Sequence, residues 1–170
     1  KTLVFCVSQK HALKITTILN ELAEKYFPNK FQSDFAIQVT SNVTNPDPQQ
    51  MTIDFKNNNL RGNSPINELY KTSKARVCVT VGMMTTGYDC KDLLNICLFR
   101  PVFSPTEFIQ MKGRGTRIFD FKECWKDKNQ IPKTINSIKS SFKLFDYFKN
   151  YQYFEEEFNY DEVLKLPAEG

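Results

Sequence analysis

The sequence predicts an α/β fold built on a mostly parallel sheet flanked by helices. Three observations lead there. Apolar, β-branched runs of strand length recur along the chain: "TLVFCV" at 2–7, "FAIQVT" at 35–40, "RVCVTV" at 76–81 and "NICLF" at 95–99. Between them lie segments whose apolar residues repeat at helical spacing. The two kinds alternate as strand, helix, strand, helix, strand, strand, helix, strand. Parallel partners are reached only by crossovers, so this order favours a parallel sheet.

Each element carries its own signals. Ser8 offers an N-cap, and Ala12, Ile15, Leu19, Leu22, Ala23 and Tyr26 follow at helical spacing until Pro28. In 35–40 the residues Phe35, Ile37 and Val39 share one face, as in a strand. Asp47-Pro48-Gln49-Gln50 resembles a capping box with proline at the first helical position, and "NNNLRGNSP" breaks the helix it starts. Ser64-Pro65 predicts a further helix through Tyr70. Ser104-Pro105-Thr106-Glu107 is a capping box opening a helix to about Ile118. "FKLFDYF" at 142–148 reads as the last strand, residues 120–141 as a polar surface excursion, and 149–170 as an exit toward a further domain. Glu155-Glu156-Glu157 reads as a solvated face or linker.

Composition narrows the function classes. The chain has 170 residues and 41% hydrophobic content, enough for one domain with a core. No run approaches the roughly 20 apolar residues of a membrane span. The chain opens on a strand without a starting Met, which reads as a piece of a longer protein. The five cysteines form no C-x-x-C pair, and three lie in strand-like runs, so buried free thiols in a reducing compartment are expected. His11, the one histidine, has no metal-spaced partner and suits a packed or capping role. Residues 1–120 carry a net charge of +5 and 121–170 carry −1, which permits phosphate or nucleic-acid binding by the body.

Doubly wound sheets bind ligands beyond the C-terminal ends of their strands. The loops opening at Ser8, Ser41, Gly82 and Arg100 are therefore the ones to inspect. Gly82 and Gly87 in "GMMTTGYD" have P-loop spacing, yet Tyr88 and Asp89 stand where a P-loop needs Lys and Ser or Thr. Two readings stay open. The loop is a glycine hinge, or Gly87 admits a close backbone approach and Asp89 accepts from a sugar hydroxyl or an arginine.

"QMKGRGTR" at 110–117 holds the other candidate group. On a helix running to Ile118, Gln110, Arg114 and Arg117 fall on one face, with Phe108, Met111, Gly115 and Ile118 opposite. Gly113 leaves room beside the arginine face, and Gly115 allows close packing. The planar guanidinium fork grips phosphate bidentately and stays charged. Basic residues late in a helix also complement its macrodipole, so spacing alone leaves both readings open. No carboxylate lies four residues from either arginine.

With "VFCVSQKHA", "VTVGMMTTGYDC" and "FRPVFSPTEFIQMKGRGTR" in this order, the chain resembles the second RecA-like lobe of superfamily 2 helicases. Within that class it is most like the motor subunit of type I restriction enzymes. The likeness spans about residues 1–121 and the strand near 142–148. It implies a RecA-like three-layer α/β/α lobe over 1–148, with 149–170 as a linker.

Gln110, Gly113, Arg114 and Arg117 match helicase motif VI. The resemblance implies that Arg114 and Arg117 reach the γ-phosphate of ATP held by a first lobe, with Arg117 as arginine finger. Gly87 and Asp89 match motif V, which faces nucleotide and DNA. Thr80 and Thr86 match positions touching the DNA backbone. Ser8, Gln9 and Lys10 follow the first strand as motif IV does, and Thr40 and Ser41 sit at a phosphate-contacting loop.

ATP and Mg2+, the metal held by the first lobe, are the implied cofactors. The implied partners are double-stranded DNA, that lobe in the same chain, and modification and specificity subunits, in a bacterial or archaeal cytoplasm. The chain departs from the pattern in the Asn-rich stretch 42–65 and in Cys90-Lys91 after "GYD". It also holds no phosphate-binding loop, acidic magnesium motif or nuclease residues. Two rival expectations remain: a lobe of a DNA-repair or chromatin-type helicase, and a degenerate lobe acting only as a nucleic-acid-binding scaffold.

Overall fold

The structure, a computed structural model, describes residues 1–41, 47–66, 68–83 and 88–158. Among the described residues seven strands form: β1 (Thr2–Cys6), β2 (Ala36–Gln38), β3 (Val77–Thr80), β4 (Asn95–Phe99), β5 (Phe119–Asp120), β6 (Ile138–Lys139) and β7 (Lys143–Asp146). The helices are α1 (Gln9–Tyr26), α2 (Pro48–Lys56), α3 (Pro105–Gly113) and the short α4 (Asn150–Gln152). Five strands make one sheet in the order β2-β3-β1-β4-β7, every pairing parallel. β5 and β6 form a separate antiparallel pair.

Side chains alternate across a strand, so one apolar run feeds two cores. Leu3, Phe5, Ile37, Val39, Ile96 and Leu98 face Met51 and Phe55 of α2 and Phe108 and Met111 of α3. Val4, Cys6, Val77 and Val79 face Ala12, Ile15 and Leu19 of α1. The result is the expected three layers, with α1 on one face of the sheet and α2 and α3 on the other. Asn20 ties α1 to the edge strand β2: its side-chain amide donates to the Ala36 carbonyl and its oxygen accepts from the Ala36 N–H, both at 2.9 Å.

The helix starts follow the sequence signals. Ser8 Oγ accepts from the His11 N–H at 3.2 Å, Asp47 accepts from Gln49 and Gln50, and Ser104 Oγ accepts from Glu107 at 3.4 Å. Each satisfies an N–H that the first helical turn leaves without a partner. The "NNNLRG" breaker works through backbone conformation, with Asn58, Arg61 and Gly62 all at positive φ. Among the described residues no helix is long and apolar enough to cross a membrane. All five cysteines are free, four of them buried and Cys97 partly so.

Three expectations change. The helix foreseen from Ser64 to Tyr70 does not form over the described part of that stretch. Asn63 and Ser73 make an antiparallel bridge, closed by Ser64 N–H on the Thr72 carbonyl at 2.7 Å. Ser64 Oγ accepts from Ile66, two residues on, and Ile66 and Leu69 are exposed, so no apolar face could pay for a short helix.

The helix foreseen to reach Ile118 stops at Gly113. Beyond it the bonds tighten to the i+3 pattern: Arg114 N–H to Met111, Gly115 to Lys112 and Thr116 to Gly113. Two glycines in the last turn weaken the helix, and the Thr116 hydroxyl takes the Gly113 carbonyl at 2.9 Å. Ile118 is 74% exposed rather than on a packing face. Gly115 does pack closely, but against Phe142.

The excursion at 120–141 also folds back on the body. Its β5–β6 pair brings Lys139 inside, and Trp125, within the same stretch, is buried and bridged to Tyr70. Past residue 148 the core continues, because Phe154 is buried and stacks on Phe108 with centroids 5.0 Å apart. Of the acidic run, Glu155 pairs with Lys112, whose ammonium also lies over the Phe108 ring.

Candidate functional site

The sequence-derived candidates fall into two places. Ser8, Gln9 and Lys10 follow β1, Thr40 and Ser41 follow β2, and Thr80 ends β3. Because the sheet is parallel, all lie at its C-terminal edge. Lys10 and Ser41 are exposed, and Gln9 is half-buried. Ser8 is exposed, but its hydroxyl is used as the helix cap. Thr80 is fully buried, its hydroxyl 3.4 Å from the Met83 carbonyl, and Thr40 is buried with no hydrogen-bond partner on Oγ1 among the described residues. These two threonine side chains are therefore covered. His11 takes the capping role: its Nδ1 accepts from the Val7 N–H at 3.4 Å. Thr86 and Gly87 lie outside the described residues.

The arginines lie elsewhere, on the α2–α3 face near the start of β4. Leu94, just before β4, donates to the Lys1 carbonyl. The Lys139 ammonium bridges the Lys91 carbonyl to those of Gly115 and Arg117.

Ending α3 at Gly113 removes the shared helical face expected for Arg114 and Arg117. They meet by another route. Arg117 Nε lies 3.2 Å from Asp89 Oδ1, and Arg114 Nη1 donates to the carbonyl of Tyr88. Asp89 Oδ1 is itself shielded and accepts no well-directed hydrogen bond among the described residues, so its link to Arg117 is one of charge. Asp89 thus stands opposite an arginine by charge. Burial, then the charge of Arg117, pushes the Arg114 guanidinium below its ordinary value, with Asp89 opposing. Gln110 is half-buried on α3, and a Cβ at Gly113 would meet nothing within 4 Å, so that flank is open.

Tyr88 and Asp89 are held from behind. The Tyr88 hydroxyl donates to the Thr52 carbonyl on α2 at 3.2 Å, and burial pushes its ionisation up. The Cys90 thiol donates to Asp92 at 3.2 Å, and Asp92 pairs with the buried Lys1 ammonium at 3.0 Å. Burial would raise the Asp92 carboxyl, but Lys1 outweighs it and holds it low.

A cavity of about 630 Å3 among the described residues lies between residues 64–76 and 135–141, and neither Arg114 nor Arg117 lines it. A second cavity, of about 400 Å3, has Asp89 in its wall, but neither Arg114 nor Arg117.

Sequence reasoning missed two contributors. Asn150 is buried and accepts from the Val102 N–H at 2.8 Å while donating to the Arg100 carbonyl at 3.1 Å, fixing the loop into α3. Lys139 clamps the arginine turn. Neither has a local sequence signal, since both act on carbonyls or amides far away in the chain.

No protein-family model matches the chain. Among curated proteins it is 31% identical, over 146 residues, to the type I restriction enzyme EcoKI endonuclease subunit of Escherichia coli K12. That match takes in 86% of this chain and 10% of the subunit. Among solved structures it resembles a fragment of an HsdR subunit of a type I restriction enzyme from Vibrio vulnificus YJ016. There the TM-score is 0.61 and the identity 30%, over 91% of this chain and 24% of the other. The Mycobacterium smegmatis helicase Lhr, bound to ssDNA and AMP-PNP, shares the fold with a TM-score of 0.56 and 16% identity, over 91% of this chain and 17% of Lhr. The fold is that of a RecA-like helicase C-terminal lobe. The homologues include type I restriction enzyme subunits, of which this chain spans about a tenth to a quarter.

Proposed function

We propose that the chain is the second motor lobe of an ATP-dependent double-stranded DNA translocase, within the R subunit of a type I restriction enzyme. The observation that carries this reading is the convergence of Arg114 and Arg117 on the Tyr88–Asp89 segment. A surface bearing two guanidiniums suits a phosphate cradled by another lobe. The failed P-loop spacing at 82–89 agrees, because such a lobe needs no cradle of its own.

Arg117 is the finger in this scheme. Its side chain is 59% exposed and Asp89's 38%. An ion pair that exposed contributes only about 0–1 kcal/mol. It is enough to orient the guanidinium and weak enough to yield when a γ-phosphate arrives. Closure of the lobes would then exclude water and strengthen the arginine–phosphate attraction. Arg114, anchored on the Tyr88 carbonyl, supplies the second guanidinium, while Gln110, Gly113, Gly87 and Asp89 border the nucleotide. Magnesium would be held by the first lobe and would neutralise phosphate charge there. Loss of the γ-phosphate would release the arginines and reopen the lobes.

Lys10, Gln9, Ser8 and Ser41, together with Thr40, Thr80 and Thr86, would serve the hold on DNA phosphates, a contact that positions without reading sequence. Thr40 and Thr80 are buried as whole residues, so their part would be to support the loops that make the contact. Residues 1–148 would form the body of the lobe, with Phe154 added to its core, and the rest of 149–170 would lead to a further domain. Modification and specificity subunits would complete the assembly in a bacterial or archaeal cytoplasm.

The test is Arg117→Ala in the full-length protein. An arginine finger is worth about 10³–10⁵ in turnover, so DNA-stimulated ATP hydrolysis should fall about a thousandfold or more. Unchanged turnover would show that Arg117 is no finger. The 170-residue chain alone should hydrolyse no ATP.

A further inference from the structure

Lys139 is only 4% exposed, although it sits in a segment that is otherwise polar and largely at the surface. Its ammonium donates to three carbonyls: Gly115 at 2.8 Å, Arg117 at 2.8 Å and Lys91 at 3.1 Å. An ammonium has three N–H donors, and here each finds an acceptor. A buried charge is tolerated only when satisfied in this way. Two of the acceptors lie in the turn that leaves α3, where the helix no longer provides donors for its own carbonyls. The third is two residues beyond Asp89. The ammonium therefore joins the two segments whose side chains meet as Arg117 and Asp89.

We propose that Lys139 is a positioning residue: it staples the arginine-bearing turn at 115–117 to the segment after Asp89, and so sets where the Arg117 guanidinium stands. This rests on the reading of Arg117 as a phosphate-contacting residue. The β5–β6 excursion then has a role, which is to deliver one lysine beneath the arginine turn. Removing the ammonium leaves the fold of the sheet in place but frees three carbonyls and loosens the turn. A misplacement of about 1 Å at a reacting group costs on the order of 10²-fold in rate.

The experiment uses Lys139→Met, which keeps the length of the side chain without its donors, and Lys139→Gln as a milder companion should the first fold poorly. Hydrogen exchange on the 170-residue chain should show amides at 114–118 opening about tenfold faster or more, while β1 and β3 amides are unchanged. In the full-length protein, kcat for DNA-stimulated ATP hydrolysis should fall about 10–100-fold with KM for ATP within about twofold. Unaltered exchange at 114–118 overturns the proposal. So does faster exchange with normal kcat in a protein where Arg117→Ala lowers kcat. If Arg117→Ala itself has no effect, the finger reading fails, and the positioning role falls with it for that separate reason.

Discussion

Gly115→Ala tests how tightly the arginine turn is packed. A Cβ built on Gly115 would lie 2.3 Å from Cδ2, 2.4 Å from Cγ and 2.6 Å from Cε2 of Phe142. Carbon atoms sit comfortably at about 3.5–4.0 Å, so the ring must retreat by more than about 1 Å. The clash includes Cγ, the root of the ring, so rotating the ring in place does not relieve it. Phe142 adjoins β7 and packs on the core with Phe108 and Met111, which limits its retreat. Overpacking of this kind costs about 1–3 kcal/mol. Gly115 is not among the residues with positive φ, so alanine meets no backbone penalty. It also gains about 0.4–1 kcal/mol by restricting the unfolded chain. The steric cost is the larger, and a net loss of about 1 kcal/mol is expected. Urea unfolding followed through Trp125, the single tryptophan, measures it with an unchanged m-value. Phe142→Ala in the same chain should recover part of the loss, making the double mutant less unstable than the sum of the singles by about 1 kcal/mol. A Gly115→Ala chain as stable as its parent would refute the argument.

Two further outcomes concern pH. Burial, aided at Cys6 by Cys97, raises the thiols of Cys6 and Cys97 to about 11; burial raises Cys90 to about 11 as well, with Lys1 opposing. A raised folded value means stability is complete below the ordinary thiol range and falls as pH rises toward 11. Lys139 pulls the other way, since burial lowers its ammonium, but it is one group against three. The urea midpoint should therefore drop between about pH 9 and 11, and a flat profile would contradict the burial of these thiols. At the acid end, the lowered Asp92 carboxyl gives stability that is present above about pH 4 and lost as pH falls through its folded value. Asp92→Asn leaves the buried Lys1 ammonium with the Phe55 and Lys56 carbonyls and the Cys90 sulfur but without its countercharge, and should cost about 3 kcal/mol by thermal or urea unfolding. A loss under about 1 kcal/mol would mean the pair is solvated.

Much of the fold was legible because its signals are local. A strand announces itself within a few β-branched residues, and a helix start within the four residues of a cap. Ser8, Asp47 and Ser104 all cap as their sequence contexts suggest. The failures were local signals that tertiary context outvoted. Ser64-Pro65 looks like a helix start, but that stretch buried no apolar face and closed on Thr72 instead. The α3 pattern ran on to Ile118, but two glycines and a side-chain bond at Thr116 ended it.

By itself, the sequence determined the order of strands and helices, the two-faced apolar runs that make a three-layer sheet, and the kind of chemistry the arginines can do. Each of these depends on residues within a turn or a strand of one another. Only the tertiary structure decided how that chemistry is arranged. Arg117 left the helix and found Asp89, and Arg114 found the Tyr88 carbonyl. Lys139 tied both segments through carbonyls 22 to 48 residues away. The physical reason is that a charge or a carbonyl chooses its partner by proximity in the folded state, and periodicity along the chain carries no record of that proximity.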